Sequence, residues 1–231
     1  MTRPDQAAPA PLISHAGWVR VLPFLVYLGF LLLAELLARS GIAPADLRWL
    51  YAVKAAAVAA CLALFWRHYT ELHAWRLNAA GTAVAVLSGL AVFALWITLS
   101  HGWMQIGSPG GFDPRIDGRI DWPLALVRVA GAALVVPVME ELFWRSFLLR
   151  WLDNPDFLAV DPARASWRSV LIVALLFGFE HHLWLAGIVA GLAYSFLYQR
   201  LRSLWAAILA HAVTNAVLGG WVIMTANWSF W

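Results

Sequence analysis

The sequence predicts an all-α fold: a polytopic transmembrane helix bundle of about seven to eight spans. Three observations carry this expectation. Of 231 residues, 62% are hydrophobic and only 13% charged, against about 25% charged in soluble domains. Several runs approach the ~20 apolar residues that cross a ~30 Å hydrocarbon core. The 15 tryptophans suit the headgroup boundary, where an amphipathic ring meets both lipid and water. The formal net charge of +3 then reads as loop charge near lipid, not as a nucleic-acid footprint. Cys61 is the only cysteine, which excludes an internal disulfide and a CxxC metal site; it reads as a small apolar packing residue.

The elements follow in order. Residues 1–16 are polar and Pro/Ala-rich and read as a flexible N-terminal tail. They do not read as a cleavable signal, because the apolar run begins later and is too long for an h-region. Residues 17–122 hold the N-terminal transmembrane helices. Spans are expected over Val19–Leu37, with Pro23 tolerated in the first turn, Leu50–Trp66 and Ala80–His101. The loop "SPGGFDPRIDGRIDW" follows, rich in Gly, Pro and Asp. Residues 123–231 form the core that carries the chemistry. Its first span opens at Pro123, kinks at Pro137 and ends near Trp151. Further spans are expected over Ser169–His182, Leu183–Tyr198 and Leu204–Met224, with an eighth if the chain breaks at Gly219-Gly220. Alternate loops carry the arginines: Arg67 and Arg76, then Arg150, Arg164 and Arg168, then Arg200 and Arg202, with Arg3 and Arg20 in the tail. That bias places these loops on the cytoplasmic side.

Ionisable residues inside spans are costly and mark functional sites. Three spans carry them: Glu140, Glu141 and Arg145 in "EELFWR"; Glu180, His181 and His182 in "FGFEHH"; His211 and Asn215 in "HAVTN". At 1.5 Å per residue, Glu140 lies roughly 15 Å below Arg150 and His181 roughly 20 Å below Arg168. On that scale His211 and Asn215 lie roughly 12 and 18 Å below Ser203. Three helices thus deliver polar groups to one slab near mid-membrane, as one site requires. Glu141 and Arg145 are spaced i, i+4 in the favoured acid-first order, which assigns Glu141 to an ion pair and leaves Glu140, about 100° around the helix, for chemistry. Phe177 and His181 share the i, i+4 spacing, so an aromatic ring lies beside the imidazole. A carboxylate in an apolar site can take a proton from water, an imidazole can orient that water, and a His with an Asn amide can donate to a developing oxyanion. This set suffices to hydrolyse an amide without a covalent nucleophile, and no GxSxG stretch is present. His182 and Glu180 read as helix-end groups, Glu35, Lys54, His101 and Arg128 as snorkelling or interfacial, and "GIVAGLAYS" as small-residue helix packing.

Taken together, "EELFWR", "FGFEH" and "HAVTN" resemble the EExxxR, FxxxH and HxxxN motifs of the CAAX prenyl protease 2 family, the CPBP or Abi intramembrane proteases. The resemblance covers about residues 123–220. It implies a helical intramembrane bundle and an endopeptidase acting on a membrane-associated protein, with CAAX-type C-terminal processing. By resemblance, Glu140 and His181 activate water, His211 and Asn215 form the oxyanion hole, and Glu141, Arg145 and Phe177 support them. The "EHHLWLAGIVAGLAY" run and the Trp-rich end resemble the bacterial exosortase-associated branch. The implied partners are the lipid bilayer and a membrane-associated protein or lipidated peptide, with no nucleic acid. The implied location is a multi-pass protein of the bacterial inner (plasma) membrane. No cofactor is expected. The alternative is a zinc metalloprotease in which Glu140, His181 and His211 supply three ligands and leave a position for water, although HExxH is absent. Two non-protease alternatives are a non-catalytic membrane scaffold or bacteriocin-immunity protein, and a proton or solute transporter. The transporter reading lacks an inverted repeat.

Overall fold

The computed structural model describes residues 12–107 and 111–231. Most of the expected tail, residues 1–11, and positions 108–110 of the polar loop lie outside the described residues. Among the described residues there are seven helices: α1 (His15–Arg39), α2 (Leu50–Leu64), α3 (Ala79–Thr98), α4 (Trp122–Trp151), α5 (Trp167–Glu180), α6 (Trp184–Leu201) and α7 (Leu204–Thr225). Their starts are set locally. Ser14, Asn78, Asp121 and Ser166 each accept a hydrogen bond from the backbone N–H three residues on, satisfying one of the orphan donors of a helix start. Strands β1 (Arg115–Ile116) and β2 (Arg119–Ile120) pair antiparallel across Asp117-Gly118, both at positive φ, as an Asp-Gly hairpin turn demands.

Five segments are long and apolar enough to cross a membrane: His15–Arg39, Pro44–Leu64, Ala79–Thr98, Trp122–Trp151 and Leu204–Thr225. Large apolar side chains such as Leu64, Leu87 and Leu134 stand 64–74% exposed on their outer faces. In water that surface would be an aggregation hazard; against lipid it is the matched face. The chain is therefore an integral membrane protein with an all-α bundle. Helix α7 runs unbroken through Gly219 and Gly220, so no eighth span forms there.

Helix α5 has 14 residues, only about 21 Å of helix. It turns back directly into α6, and the two pack at backbone contact. A Cβ built on Gly178 would lie 2.7 Å from the Trp184 carbonyl oxygen, and one on Gly191 would lie 2.9 Å from Ala174 Cα. The "GIVAGLAYS" stretch therefore packs by small residues, as expected.

The arginine-rich end is closed by a buried clamp. Arg20 is fully buried, not a tail charge. It reaches Glu71 Oε2 at 2.5 Å, Ser146 Oγ at 3.0 Å and the carbonyls of Ala16 and His68. Ser146 Oγ also donates to Glu71, and Arg150 Nη2 stands 3.6 Å from the same carboxylate. Burial pushes the Glu71 carboxyl up, but hydrogen bonds from Arg20 and Ser146 and the Arg20 charge outweigh it and hold the group below its ordinary range. The clamp fixes α1 and the segment after α2 to α4, the helix that carries the glutamates.

Helix α4 is not a regular α-helix. Two π-type stretches, Gly131–Val135 and Leu142–Leu148, flank Val136–Glu141. Pro137 lies just after the first stretch, and a proline inside a helix leaves an earlier carbonyl without its donor. The irregularity expected at Pro137 is thus a change of helical register, a device that concentrates at functional sites.

Candidate active site

Glu140, His181, His211 and Asn215 line one cavity of about 160 Å³ inside the bundle. That is room for several waters. Its wall draws on α1, α3, α4, α5, α6 and α7, through Tyr27, Trp96, Glu140, Phe177, Tyr194 and His211 respectively. The four residues that the sequence assigns to chemistry are therefore brought together.

Glu140 is 4% exposed, and its Oε2 has no hydrogen-bond partner. A buried carboxylate oxygen left unpaired is costly, so it calls for a partner not supplied by the protein. Glu141, one residue on, is fully enclosed. Its Oε1 accepts from Arg145 Nη1 at 3.1 Å and lies 2.9 Å from His211 Nδ1. Arg145 is also fully buried and holds its guanidinium carbon 4.4 Å from the centre of the Phe177 ring. The expected Glu141–Arg145 pair is present. The Glu141–His211 bond was not foreseen, because 70 residues separate the partners and no local spacing links them.

Each imidazole has one ring nitrogen fixed. His181 is the residue that caps α5, and its Nδ1 stands 2.7 Å from the Phe177 carbonyl oxygen. A carbonyl only accepts, so Nδ1 carries the hydrogen and Nε2 presents a lone pair. The bond also satisfies a carbonyl in the last turn of α5, where no helical N–H remains. The Phe177 ring lies 4.6 Å from the His181 ring, and Trp96 meets that ring edge-on at 5.3 Å. His211 is stacked on Tyr194 at 5.1 Å and 19°, and the Tyr194 hydroxyl is 2.8 Å from Thr214 Oγ1. The Glu141 oxygen that faces Nδ1 of His211 already accepts from Arg145, so it is an acceptor here too and Nδ1 donates to it. Nε2 is left for the cavity.

Asn215 is positioned by the irregular turn of α4. The Val136 N–H bonds the Gly131 carbonyl in the i→i+5 register. In that register the donor for Ala132 would be residue 137, a proline with no N–H. Asn215 Nδ2 takes the place, 2.8 Å from the Ala132 carbonyl oxygen. One amide hydrogen is spent on the backbone and the second remains.

Sequence reasoning missed several members of the site. Tyr194 sat in a stretch read only as packing, and Trp96 and Tyr27 lie on helices without motifs. Lys54 was expected to snorkel; it is instead 6% exposed, with its ammonium 3.9 Å from the Tyr27 ring centre. His182 and Glu180 stay outside the lining of the cavity. A zinc on Glu140, His181 and His211 needs the three side chains gathered round one point. Among the described residues no three His, Cys, Asp or Glu side chains are grouped to hold a metal, although the Nδ1 bonds leave Nε2 of both histidines open, as in zinc-bound histidines. As placed, the three do not form a ligand set, and no step below uses a metal.

Residues 122–217 match the family described as Type II CAAX prenyl endopeptidase Rce1-like. That range contains all seven residues of the three motifs. No curated protein and no solved structure matches the chain.

Proposed function

With residues 122–217 belonging to the Rce1-like family of type II CAAX prenyl endopeptidases, we propose that this chain hydrolyses a peptide bond near the C-terminus of a membrane-associated protein, using Glu140 as a general base on water. The family match and the apolar helices support an intramembrane protease of CAAX type in general, with the bilayer and a membrane-associated protein as partners. The finer reading rests on one observation above the others: of the two adjacent acids only Glu140 lines the cavity, which has room for several waters, and its Oε2 has no protein partner.

In this reading Glu140 accepts a proton as the water oxygen attacks the scissile carbonyl carbon. His181 Nε2 accepts the water's other hydrogen and fixes its angle. The second N–H of Asn215 donates to the oxyanion, and so does Nε2 of His211 when the ring is protonated, a form whose charge Glu141 offsets through Nδ1. Collapse of the tetrahedral intermediate breaks the C–N bond, and the proton held on Glu140 leaves with the amine. The low local dielectric strengthens each of these interactions. The setting, as the sequence resemblance implies, is a bacterial inner membrane.

The test compares protein termini in membranes carrying the wild-type chain with those carrying Glu140→Gln at equal abundance. New C-termini that require Glu140 support the reading. Identical termini in the two membranes would overturn it.

A further inference from the structure

A second, larger cavity of about 760 Å³ adjoins the site, walled by α1, the start of α2 and the segment 111–115 that leads into the β-hairpin; it shares Arg128 and Trp231 with the cavity of Glu140. Its charge is unbalanced. Arg48, Lys54, Arg115 and Arg128 line it against Glu35 and Asp113. Both acids are already paired, Glu35 with Arg39 at 2.7 Å and Asp113 with Arg115 at 2.6 Å. Arg48 is spent on the carbonyls of Ala45, Asp113 and Arg115.

Lys54 and Arg128 are left. Among the described residues neither has a carboxylate at ion-pair distance. Both stand at the Tyr51 ring, the Lys54 ammonium 5.0 Å and the Arg128 guanidinium carbon 4.4 Å from its centre. Arg128 Nε is buried and without a partner. Their place is built: Tyr51 donates to the Arg128 carbonyl at 3.2 Å, and a Cβ on Gly131 would lie 2.6 Å from that hydroxyl. Cation–π contact offsets part of the cost of two like charges in an apolar setting. It does not neutralise them, and removing uncompensated cations from water is expensive.

We infer that Lys54 and Arg128 form an anion site for the free α-carboxylate of a peptide whose scissile bond lies at Glu140. The inference rests on the proposed function and adds to it the feature of the substrate that is read. Arg128 lines both cavities, and Lys54 borders both through Tyr27 and Tyr51. A molecule with its anion at this junction therefore continues into the cavity of Glu140. Only the end of a polypeptide carries a backbone carboxylate. A chain seated this way presents a carbonyl to Glu140 a short extended stretch away from its own terminus, and an internal segment, with no main-chain carboxylate to offer, is disfavoured.

The test uses the full chain in phosphatidylcholine nanodiscs and reads binding, not cleavage. The probes are acetyl-Ala-Leu-Val-Leu as the free acid and as the carboxamide, with glycerol 1-phosphate as competitor. The wild type should bind the acid at least about tenfold more tightly than the amide, the size of one lost charged hydrogen bond. Lys54→Met and Arg128→Leu should each bring the ratio towards one, and Lys54→Arg should keep it. Equal binding of acid and amide by the wild type, or no binding of the acid at millimolar concentration, overturns the inference without need of a variant that folds. Stronger binding of glycerol phosphate than of the acid also overturns it and reassigns the site to a lipid headgroup. Selective binding of the acid by a chain that cuts nothing would sink the proposed function and leave the anion site standing.

Discussion

Glu141 and His211, on α4 and α7, meet through Oε1 and Nδ1 at 2.9 Å in the interior of the bundle. The same oxygen takes Arg145 at 3.1 Å. One carboxylate thus holds both a structural cation and an imidazole of the cavity. Oε2 of Glu141 and of its neighbour Glu140 both lack a partner, but only Glu140 lines the cavity and has no hydrogen bond to Arg145 or His211. The adjacent acids are divided by what each touches.

That division predicts different failures. Glu141→Gln leaves Arg145 buried without its counter-charge, a loss of about 3–5 kcal/mol, and should cut folded yield and lower the melting temperature. The fraction that folds should also cleave poorly, because His211 loses its anchor. Glu140→Gln should melt near the wild-type temperature and cleave nothing. Size-exclusion profiles and melting curves of the two variants decide this. Aggregation of Glu140→Gln beside a stable, inactive Glu141→Gln would reverse the assignment.

Pro137 is expected to act through Asn215. Pro137→Ala restores an N–H that can bond the α4 carbonyls, including that of Ala132, which now takes Asn215 Nδ2 at 2.8 Å. Asn215 then loses its fixed direction. The turnover number should fall, though by less than in Asn215→Ala, with folded yield unchanged or raised. Unimpaired turnover in Pro137→Ala beside a clear defect in Asn215→Ala would show that the proline does not position the amide.

The site was legible in the sequence where its logic is local, and elsewhere it was not. Glu141–Arg145 and Phe177–His181 are both i, i+4 pairs, and helical geometry alone brings such residues together. The common depth of the motifs followed from counting residues along three helices. Glu141–His211 required the docking of α4 on α7, which no spacing encodes. Lys54 misled for a physical reason: a lysine in a span commonly snorkels, and only the tyrosines of α1 and α2 show why this one stays buried. Arg20 misled likewise, since its partner Glu71 lies 51 residues away in a segment without a motif. The five apolar segments were visible because lipid demands continuous hydrophobicity, whereas α5 hides its short length in the uninterrupted run into α6.

The α5–α6 contact should tolerate no added methyl group. Gly178→Ala puts a carbon into the Trp184 carbonyl and the Ile188 backbone N, at 2.7 and 2.9 Å. Neither neighbour is the end of a flexible side chain. The helices must part, and His181, three residues on, must move with α5. The variant should lose about 1–3 kcal/mol of stability, as overpacked sites do, and lose activity as well. Gly220→Ala, where no atom lies within 4 Å, is the control and should be neutral. Equal melting temperatures for the two variants would show that α5 and α6 have slack.

Acid should weaken the clamp at Arg20. The Glu71 carboxyl is held below its ordinary range, so its protonation is favoured in the unfolded chain over the folded one. Its contribution is fully present above the unfolded value, near pH 4.3, and is lost as pH falls through the lower folded value. The melting temperature in detergent should therefore drop as pH goes below about 4. In Glu71→Gln, less stable throughout, that part of the decline should be missing. Parallel curves for the two proteins across this range would remove Glu71 as the cause.

The base and the oxyanion donor should differ in the depth of the defect they leave. Losing one donor from an oxyanion hole costs about 10²–10³ in rate, and His211 would still supply its share, so Asn215→Ala should cleave slowly but measurably. Losing the only base on the water leaves no route, so Glu140→Ala should fall to the uncatalysed background. The two variants must be compared at equal folded concentration with the same membrane-bound substrate. Because Glu140, His181 and His211 are not grouped as a ligand set among the described residues, EDTA or phenanthroline should leave the wild-type rate within about twofold, well under the cost of one lost donor. Complete loss with chelator, restored by added zinc, would instead make Glu140, His181 and His211 metal ligands through rearranged side chains. The cavity would keep its role, and the general base would be a different one.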